Sequence, residues 1–428
     1  MGYFFYNLLL ILFSPVLLVM LLAKKRCRPG FLYRLGKHPV WRRDKMSEGI
    51  WIHAVSLGEV MATTPFIQAL RKQFPDIPLV VSTVTETGRE AVKQQLGGIA
   101  EHCYLPLDFP WMIKRHIQTL RPKICIVVET ELWPNLFRQL HRHGVPSVLI
   151  NGRISSRSFH RYHMIRCFMR SVLQCLSVCL MQSDRDVQQL VALGAHPAAV
   201  HRTGNMKFDQ PENLSRPPGM QPEWVGATPE EHLIVAGSTH AEEDILLLTM
   251  YKNLLQDRPD VLLLIAPRHL ERMPQLEATI HQNGFSIVRR SQVKKGQQKP
   301  ENYPKPRVLI LDSQGELANA YSLGCMAFVG GTLAPIGGHN LLEPARWGIP
   351  VIFGPYTDHC EETANLLIQN GGGIRVQNGE ELTNICLKGL HNSIWRMETG
   401  QAAQRVVHMN QGVVKKNLQI ITPLLDIE

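Results

Sequence analysis

The feature that most constrains the fold of this chain is a series of ten short apolar, β-rich runs separated by helical patterns. The runs are residues 50–55, 79–84, 124–128, 148–150 and 178–181 in the first half, and 233–236, 261–266, 308–311, 327–329 and 351–353 in the second. They are apolar throughout and do not alternate with polar residues, as expected of parallel strands buried on both faces. The pattern predicts an α/β protein with two doubly wound, Rossmann-like sheets.

The length of the chain also indicates more than one domain. A chain of 428 residues is too long for a single ordinary core. Five prolines and little periodicity between Gln210 and Glu231 indicate a linker. We therefore expect an N-terminal domain over residues 24–210, a linker over 211–231, and a C-terminal domain over 232–428 whose last helix could pack back on the first domain.

Residues 3–23 form an uncharged, largely apolar segment that is interrupted only by Asn7, Ser14 and Pro15. Its 21 residues could cross a bilayer core of about 30 Å, which predicts a membrane anchor. The alternative is an amphipathic helix that lies in the membrane interface. Between Lys24 and Met46 there are nine Lys or Arg residues and one acid, which by the positive-inside rule predicts that the remaining chain faces the cytoplasm. The nine cysteines are scattered and have no metal-binding spacing, which agrees with that reducing compartment.

The stretch Met326–Pro355 has a strand, loop, helix, strand order around a glycine-rich loop that closes on Gly337-Gly338-His339-Asn340. Glycines let backbone approach a ligand closely, and the N–H groups that begin the next helix favour an anion. Glu343, just inside that helix, could bridge the two hydroxyls of a ribose. The stretch therefore favours a nucleotide site, with a tight turn and an N-capping Asn340 as the alternative.

Ligands of open parallel sheets bind beyond the carboxyl ends of the strands, and nearly every predicted strand end here is polar or glycine-rich. Glu59 follows the first strand and could act as a general base, or simply favour the dipole of the next helix. Lys207 and Arg268 could stabilise the charge on a leaving phosphate, or be ordinary surface residues.

Several other chemistries lack their motifs in this sequence. No G-x-G-x-x-G follows the first strand, and the chain has no Walker lysine motif and no HExxH, which argues against hydride transfer and ATP hydrolysis. The one Asp-x-Asp, at Asp184 and Asp186, follows Ser183 and is more typical of a helix cap than of a magnesium site. We therefore expect metal-independent chemistry.

A basic, aromatic segment lies at residues 151–170 and suits the phosphates of a lipid surface. A solvated basic helix is the alternative. Its arginines recur at spacings of four and five, which places several on one helix face: Arg153, Arg157, Arg161, Arg166 and Arg170.

Eight motifs together resemble those of the 3-deoxy-D-manno-octulosonic acid (Kdo) transferases. They are HAVSLGEV (53–60), ETELWPN (129–135), NGRIS (151–155), TGNMKFD (203–209), APRH (266–269), FVGGTL (328–333), GGHNLLEPA (337–345) and FGP (353–355). The resemblance implies a GT-B fold, with an acceptor domain and a donor domain that face a cleft. It also implies an inverting, metal-independent enzyme of lipopolysaccharide biosynthesis on the cytoplasmic side of the inner membrane.

The resemblance further implies a donor, an acceptor and a role for each site residue. The donor is CMP-Kdo, the acceptor is the 6′-hydroxyl of a lipid A precursor (lipid IVA), and neither a cofactor nor nucleic acid takes part. Glu59 resembles the catalytic base, and Glu129 and Lys207 resemble residues that stabilise the transition state. The CMP-binding set that it implies is Pro267, Arg268, Gln314, Gly315, Glu316, Asn340, Leu341, Leu342 and Glu343.

Two other functions remain open from the sequence. One is another membrane-anchored GT-B glycosyltransferase with a different nucleotide sugar. The other is a membrane-tethered module that binds anionic lipid without catalysis.

Overall fold

The computed structural model describes residues 2–23, 30–35, 48–209, 220–293 and 302–425. The chain divides into two compact units, Met1–Pro211 together with Asn410–Glu428, and Glu212–Met409. Each unit is built around one seven-stranded sheet whose neighbouring strands all run parallel. The α/β class predicted from the apolar runs is confirmed. Most of the basic stretch 24–46 and part of the predicted linker lie outside the described residues.

The sheet of the first unit has the order β3-β2-β1-β4-β5-β6-β7. Its strands are β1 (Ile50–His53), β2 (Leu79–Thr83), β3 (Glu101–Tyr104), β4 (Ile124–Val128), β5 (Ser147–Gly152), β6 (Val178–Met181) and β7 (Val200–Arg202). The helices before and between them are α1 (Gly2–Ala23), α2 (Phe31–Arg34), α3 (Leu57–Gln73), α4 (Glu86–Leu96), α5 (Pro110–Leu120), α6 (Pro134–Arg142), α7 (Ser156–Met164), α8 (Arg166–Leu173) and α9 (Asp184–Leu193). Because the order reverses between β1 and β4, their carboxyl ends form the switch point where such sheets bind ligands.

Alternate residues of the central strands enter different hydrophobic cores. Trp51, Cys125 and Leu149 point into one core, and Ile52 and Val148 point into the other. Side chains alternate between the faces of a strand, so both faces of this sheet are covered by apolar packing.

The sheet of the second unit has the order β10-β11-β9-β8-β12-β13-β14, with its switch point between β8 and β12. Its strands are β8 (His232–Thr239), β9 (Val261–Pro267), β10 (Ser286–Arg289), β11 (Arg307–Ile310), β12 (Met326–Val329), β13 (Val351–Phe353) and β14 (Gly373–Arg375). Its helices are α10 (Ala241–Asp257), α11 (Met273–Gln282), α12 (Leu317–Ala320), α13 (Leu342–Arg346), α14 (Glu361–Gln369), α15 (Gly379–His391) and α16 (Ser393–Met409).

The last helix, α17 (Val413–Leu425), belongs to the first unit. It packs against α3 and against the short 3-10 helix Met206–Asp209, which carries Lys207. The Asp209 carboxylate accepts hydrogen bonds from the amides of Gly412 at 2.7 Å and Val414 at 2.5 Å. This contact ties the start of α17 to the short helix that carries Lys207.

Helix α1 is attached to the first unit through aromatic and polar contacts of its first two turns. The Tyr3 and Tyr6 rings lie 5.2 and 5.8 Å from the Phe168 ring of α8. The Tyr6 hydroxyl donates to the Asp108 carboxylate at 2.9 Å, and the Asn135 amide donates to Asn7 Oδ1 at 2.7 Å. Across the described residues, none of the helices is both long and apolar enough for a membrane span, so the span predicted over residues 3–23 has no support here.

The basic segment 151–170 is not one helix. It breaks at Ile165 into α7, with Arg157 and Arg161, and α8, with Arg166 and Arg170, while Arg153 precedes both, so no more than two of the five arginines share a helix. The bend exposes two apolar side chains, with Met164 82% and Ile165 49% accessible. None of the residues of α7 is buried. The spacing of the arginines alone therefore does not determine how this segment folds.

Candidate functional site

Glu59 lies at the switch point of the first sheet, in the first turn of α3. The turn after β1 holds its carboxylate, since the Val55 amide donates to Oε2 at 2.7 Å and the Ser56 hydroxyl donates to Oε1 at 2.9 Å. Its side chain is almost fully buried, and burial is the main cause that raises its pKa to about 7. A carboxylate that gains and loses a proton near neutral pH is suited to general-base catalysis.

Two further carboxylates follow β4, the strand next to β1. Glu129 and Glu131 lie close enough to Glu59 for their charges to raise its pKa further, and burial raises the pKa of Glu131 itself. Glu129 has a left-handed backbone with φ of 57°. Side chains other than glycine occupy that region at a cost, and such residues cluster at functional sites. The structure thus brings the two predicted acids together and adds Glu131.

Lys207 is positioned by a polar network at the ends of β5 and β6. Asn151, which also has a left-handed backbone, accepts from the Met206 amide through Oδ1 at 3.0 Å. The Asn205 side chain accepts from the Lys207 amide at 3.0 Å and donates to Gln182 at 3.0 Å. The 3-10 helix that carries Lys207 packs on α3, the helix of Glu59. The three predicted catalytic residues therefore lie at the carboxyl end of the first sheet.

The predicted CMP-binding residues lie at the carboxyl end of the second sheet. Pro267 ends β9 and Arg268 follows it, with its amide donating to the Thr239 carbonyl at 3.0 Å. The segment 314–316 follows β11 and begins α12, and the Ser313 hydroxyl donates to the Glu316 carboxylate. Residues 340 and 341 lead into α13, which is only five residues long, and residues 342 and 343 begin it.

Within that last segment the side chains differ in what they can offer a ligand. Leu341 and Leu342 are buried in the core, so only their backbone can contact a ligand. The Asn340 side chain accepts from the Leu342 amide and donates to the Glu343 carboxylate, each at 3.1 Å. Burial raises the pKa of Glu343, while Asn340, Arg346 and Arg268 oppose that shift. Arg268, which follows β9, and Glu343, in the first turn of α13, are therefore electrostatic neighbours.

The first half of the glycine-rich loop is already occupied by a side chain. The Glu243 carboxylate of α10 accepts from the amides of Gly331, Thr332, Leu333 and Ala334 at 2.9, 3.1, 3.0 and 3.3 Å. Glu243 is fully buried. The amides of residues 331–334 are therefore not available to a ligand, because an internal anion uses them.

The second half of the loop keeps its donors. Within the described residues, the amides of Gly337, His339 and Asn340 have no hydrogen-bond acceptor. The loop is fixed in place, because the Gly338 amide donates to the Gly331 carbonyl at 2.7 Å and the Gly337 carbonyl accepts from the His359 amide at 2.8 Å. Three amides at residues 337–340 are thus available to an anion.

Two histidines join the loop to the start of α10. His240 and His339 place their Nε2 atoms 2.8 Å apart, so one ring donates a proton and the other accepts it. Burial lowers the pKa of both, that of His339 to about 4, with Arg268 as its next cause. At neutral pH the pair is uncharged. In the described part of the chain, no three His, Cys, Asp or Glu residues are grouped so as to hold a metal ion.

The sequence contains one local signal for Glu243. His240 follows β8 and Glu243 lies three residues later, the spacing of a capping box, and the Glu243 carboxylate does accept from the His240 amide at 3.0 Å. That motif predicts a helix start. It does not predict the four donors from a loop 88 to 91 residues away.

The fold itself defines a class. A UDP-GlcNAc 2-epimerase from Neisseria meningitidis bound to UDP-GlcNAc is 12% identical, with a TM-score of 0.62 over 88% of this chain and 100% of that one. A glycosyltransferase from Rickettsia africae is 15% identical, with a TM-score of 0.60 over 89% and 100%. At such identities the likeness concerns fold alone, and it describes a GT-B-like α/β protein with two parallel sheets.

Sequence similarity then gives the family. Residues 29–210 match the family model of 3-deoxy-D-manno-octulosonic-acid transferase (kdotransferase). A 3-deoxy-D-manno-octulosonic acid transferase of Haemophilus influenzae is 34% identical over 433 residues, covering all of this chain and 99% of that protein. One from Bordetella pertussis is 30% identical, covering 91% and 90%. The chain belongs to the Kdo transferase family, glycosyltransferases of lipopolysaccharide synthesis, and the predicted family is confirmed.

Proposed function

We propose that this protein transfers Kdo from CMP-Kdo to the 6′-hydroxyl of a lipid A precursor, lipid IVA, with inversion at the anomeric carbon. The observation that carries the proposal is Glu59, a buried carboxylate at the switch point whose pKa is raised to about 7. Its two hydrogen bonds to the β1–α3 turn leave the carboxylate fixed in direction. Family membership supports Kdo as the transferred group.

In the proposed step, the Glu59 carboxylate takes the proton of the acceptor hydroxyl as its oxygen attacks the anomeric carbon. The bond from that carbon to the CMP phosphate breaks, and CMP leaves with the bonding electrons. One displacement with one base inverts the configuration. Lys207 stabilises the negative charge that develops in the transition state, and Glu129, with its left-handed backbone, helps to arrange the groups around the reacting centre.

The second unit supplies the proposed CMP site. The CMP phosphate is held by the amides of Gly337, His339 and Asn340, together with the guanidinium of Arg268, which lies near Glu343. The buried Glu343 carboxylate accepts from the ribose hydroxyls while Asn340 fixes its orientation. Segments 267–268 and 314–316 follow the neighbouring strands β9 and β11, and so lie together at the carboxyl end of this sheet.

We propose further that the protein works at the cytoplasmic face of the inner membrane without a metal ion. Helix α1 presents a large apolar surface to solvent, with Phe4 and Leu12 each 68% accessible. Such a surface favours contact with lipid over exposure to water. The arginines of α7 and α8, with exposed Met164 and Ile165 at the bend, suit the phosphate groups of an anionic surface.

To test the proposal, the purified protein is incubated with CMP-Kdo and tetra-acylated lipid A precursor, and the mass of the lipid product is measured by mass spectrometry. The native chain should add the mass of Kdo, and CMP should compete with the donor while UDP should not. Glu59→Gln should lose transfer but retain CMP binding, whereas Glu90→Gln, an exposed acid on α4, should remain active. Transfer by Glu59→Gln at the native rate, or competition by UDP alone, would refute this assignment.

A further inference from the structure

Glu243 has no place in the proposed reaction, yet its carboxylate receives more hydrogen bonds than any ordinary helix cap needs. Oε1 accepts from the amides of Thr332, Leu333 and Ala334. Oε2 accepts from those of Gly331 and His240. Five backbone N–H groups thus surround one fully buried carboxylate.

Consecutive backbone amides that converge on one point form the concave anion site that proteins use for phosphates. Here the left-handed backbone of Gly331, φ of 70°, begins that arrangement. A buried carboxylate that accepts from each amide replaces a bound phosphate, so the loop keeps its shape with no ligand present. Without the carboxylate, these five amides would lose their acceptor, which is costly in a buried site.

Two hydrogen bonds connect the residues around Glu243 to the proposed phosphate site. Gly331, a donor to Glu243, accepts through its carbonyl from the Gly338 amide at 2.7 Å. His240, the helix cap that donates to the same carboxylate, contacts His339 through Nε2 at 2.8 Å. Gly338 and His339 are therefore each hydrogen-bonded to a residue that donates to Glu243.

We propose that Glu243 is a positioning residue for donor binding: its carboxylate is a built-in anion that preorganises residues 337–340 and keeps the donor phosphate out of the amides of 331–334. This inference rests on the proposed function for its kinetic consequence. Its structural core, an anion site filled by a side chain, can be tested independently of any activity.

The first test uses acetate as a substitute for the missing side chain. Glu243→Ala removes a carboxylate that acetate can replace, and it leaves the anion site empty. Sodium acetate should raise the Tm of this variant saturably above sodium chloride of equal ionic strength, with no such difference for the native chain. Glu242→Ala, an exposed neighbour on α10, is the matched control and should behave as the native chain.

The second test separates positioning from general destabilisation. Glu243→Ala should raise the KM for CMP-Kdo about 100-fold, as expected for loss of several hydrogen bonds to a charged group, and leave the KM for the lipid acceptor unchanged. Acetate should restore at least about a tenth of the native kcat/KM, by refilling the same site. If the alanine variant does not fold, Glu243→Gln, equal in size, should raise the donor KM in the same selective way.

The outcomes are distinct from those of the proposed function. A native chain without transfer would refute the proposed reaction, while the acetate effect on Tm would still support the filled anion site. The inference is overturned if acetate stabilises Glu243→Ala no more than chloride does. It is also overturned if the donor KM stays unchanged, or if both KM values rise equally.

Discussion

The buried Glu59 should make the protein less stable in the pH range where it is active. Burial raises the pKa of this carboxyl from 4.5 to about 7 in the folded protein. A raised pKa means that the folded state binds the proton more tightly than the unfolded chain does. The stability gained from that proton is fully present below pH 4.5 and is lost as the pH rises through 7.

The size of this loss follows from the pKa difference. The difference between a pKa of 4.5 in the unfolded chain and about 7 in the folded protein corresponds to about 3 kcal/mol of stability, of which about 2.5 kcal/mol is lost between pH 5 and pH 8. Glutamine stays neutral throughout, so Glu59→Gln avoids the loss. Relative to the native chain, the variant should gain about 5–10 °C in Tm when the pH is raised from 5 to 8.

Differential scanning calorimetry of the native chain, Glu59→Gln and Glu90→Gln at the two pH values measures this gain. Glu90 is exposed on α4, so its variant controls for removal of a surface charge. The same carboxyl should make kcat/KM of the native chain rise with pH to a plateau above about 7. A Tm difference between Glu59→Gln and the native chain that is the same at pH 5 and pH 8 would refute the reasoning.

Two further predictions concern α1 and its attachment. The Asp108 carboxylate accepts from the Tyr6 hydroxyl and from the amides of Asn135 and Leu136 at 2.9 to 3.0 Å, so Asp108→Asn leaves a buried N–H without its acceptor and should lower the free energy of unfolding by about 2 kcal/mol, read as a fall in Tm. An unchanged Tm would contradict this. Leu12→Glu should weaken binding to anionic vesicles at least about tenfold in a flotation assay, because it removes an exposed apolar group from the proposed lipid contact, whereas Gln94→Glu on α4 should not. Equal binding of the two variants would remove α1 from that role.

The sequence alone determined the central strands of both sheets and the residues at their ends. Each central strand is buried on both faces, so its run of apolar residues is a local signal that needs no knowledge of its neighbours. The polar residues that follow these strands, such as Glu59 in the first sheet and Arg268 in the second, are placed at the carboxyl end of their own sheet, because its strands share a direction. Glu59 is therefore identifiable as the candidate base from the sequence alone.

Tertiary structure decided what the apolar pattern missed. The four strands without an apolar run, β3, β7, β10 and β14, are the four edges of the two sheets. An edge strand is partly exposed, so its residues need not be apolar, and only pairing with a neighbour defines it. The charge of Glu59 is likewise set by burial and by Glu129 and Glu131, which folding brings near.

The occupant of the glycine-rich loop is the plainest case of the difference. Glycines and their spacing indicate a loop whose amides can hold an anion, and that much is local. Which anion it holds depends on Glu243, 88 residues earlier in the chain, and only the packing of α10 against that loop brings the two together. Local sequence thus specified a type of site, while long-range packing decided that its first half holds a side chain and left the second half for a ligand.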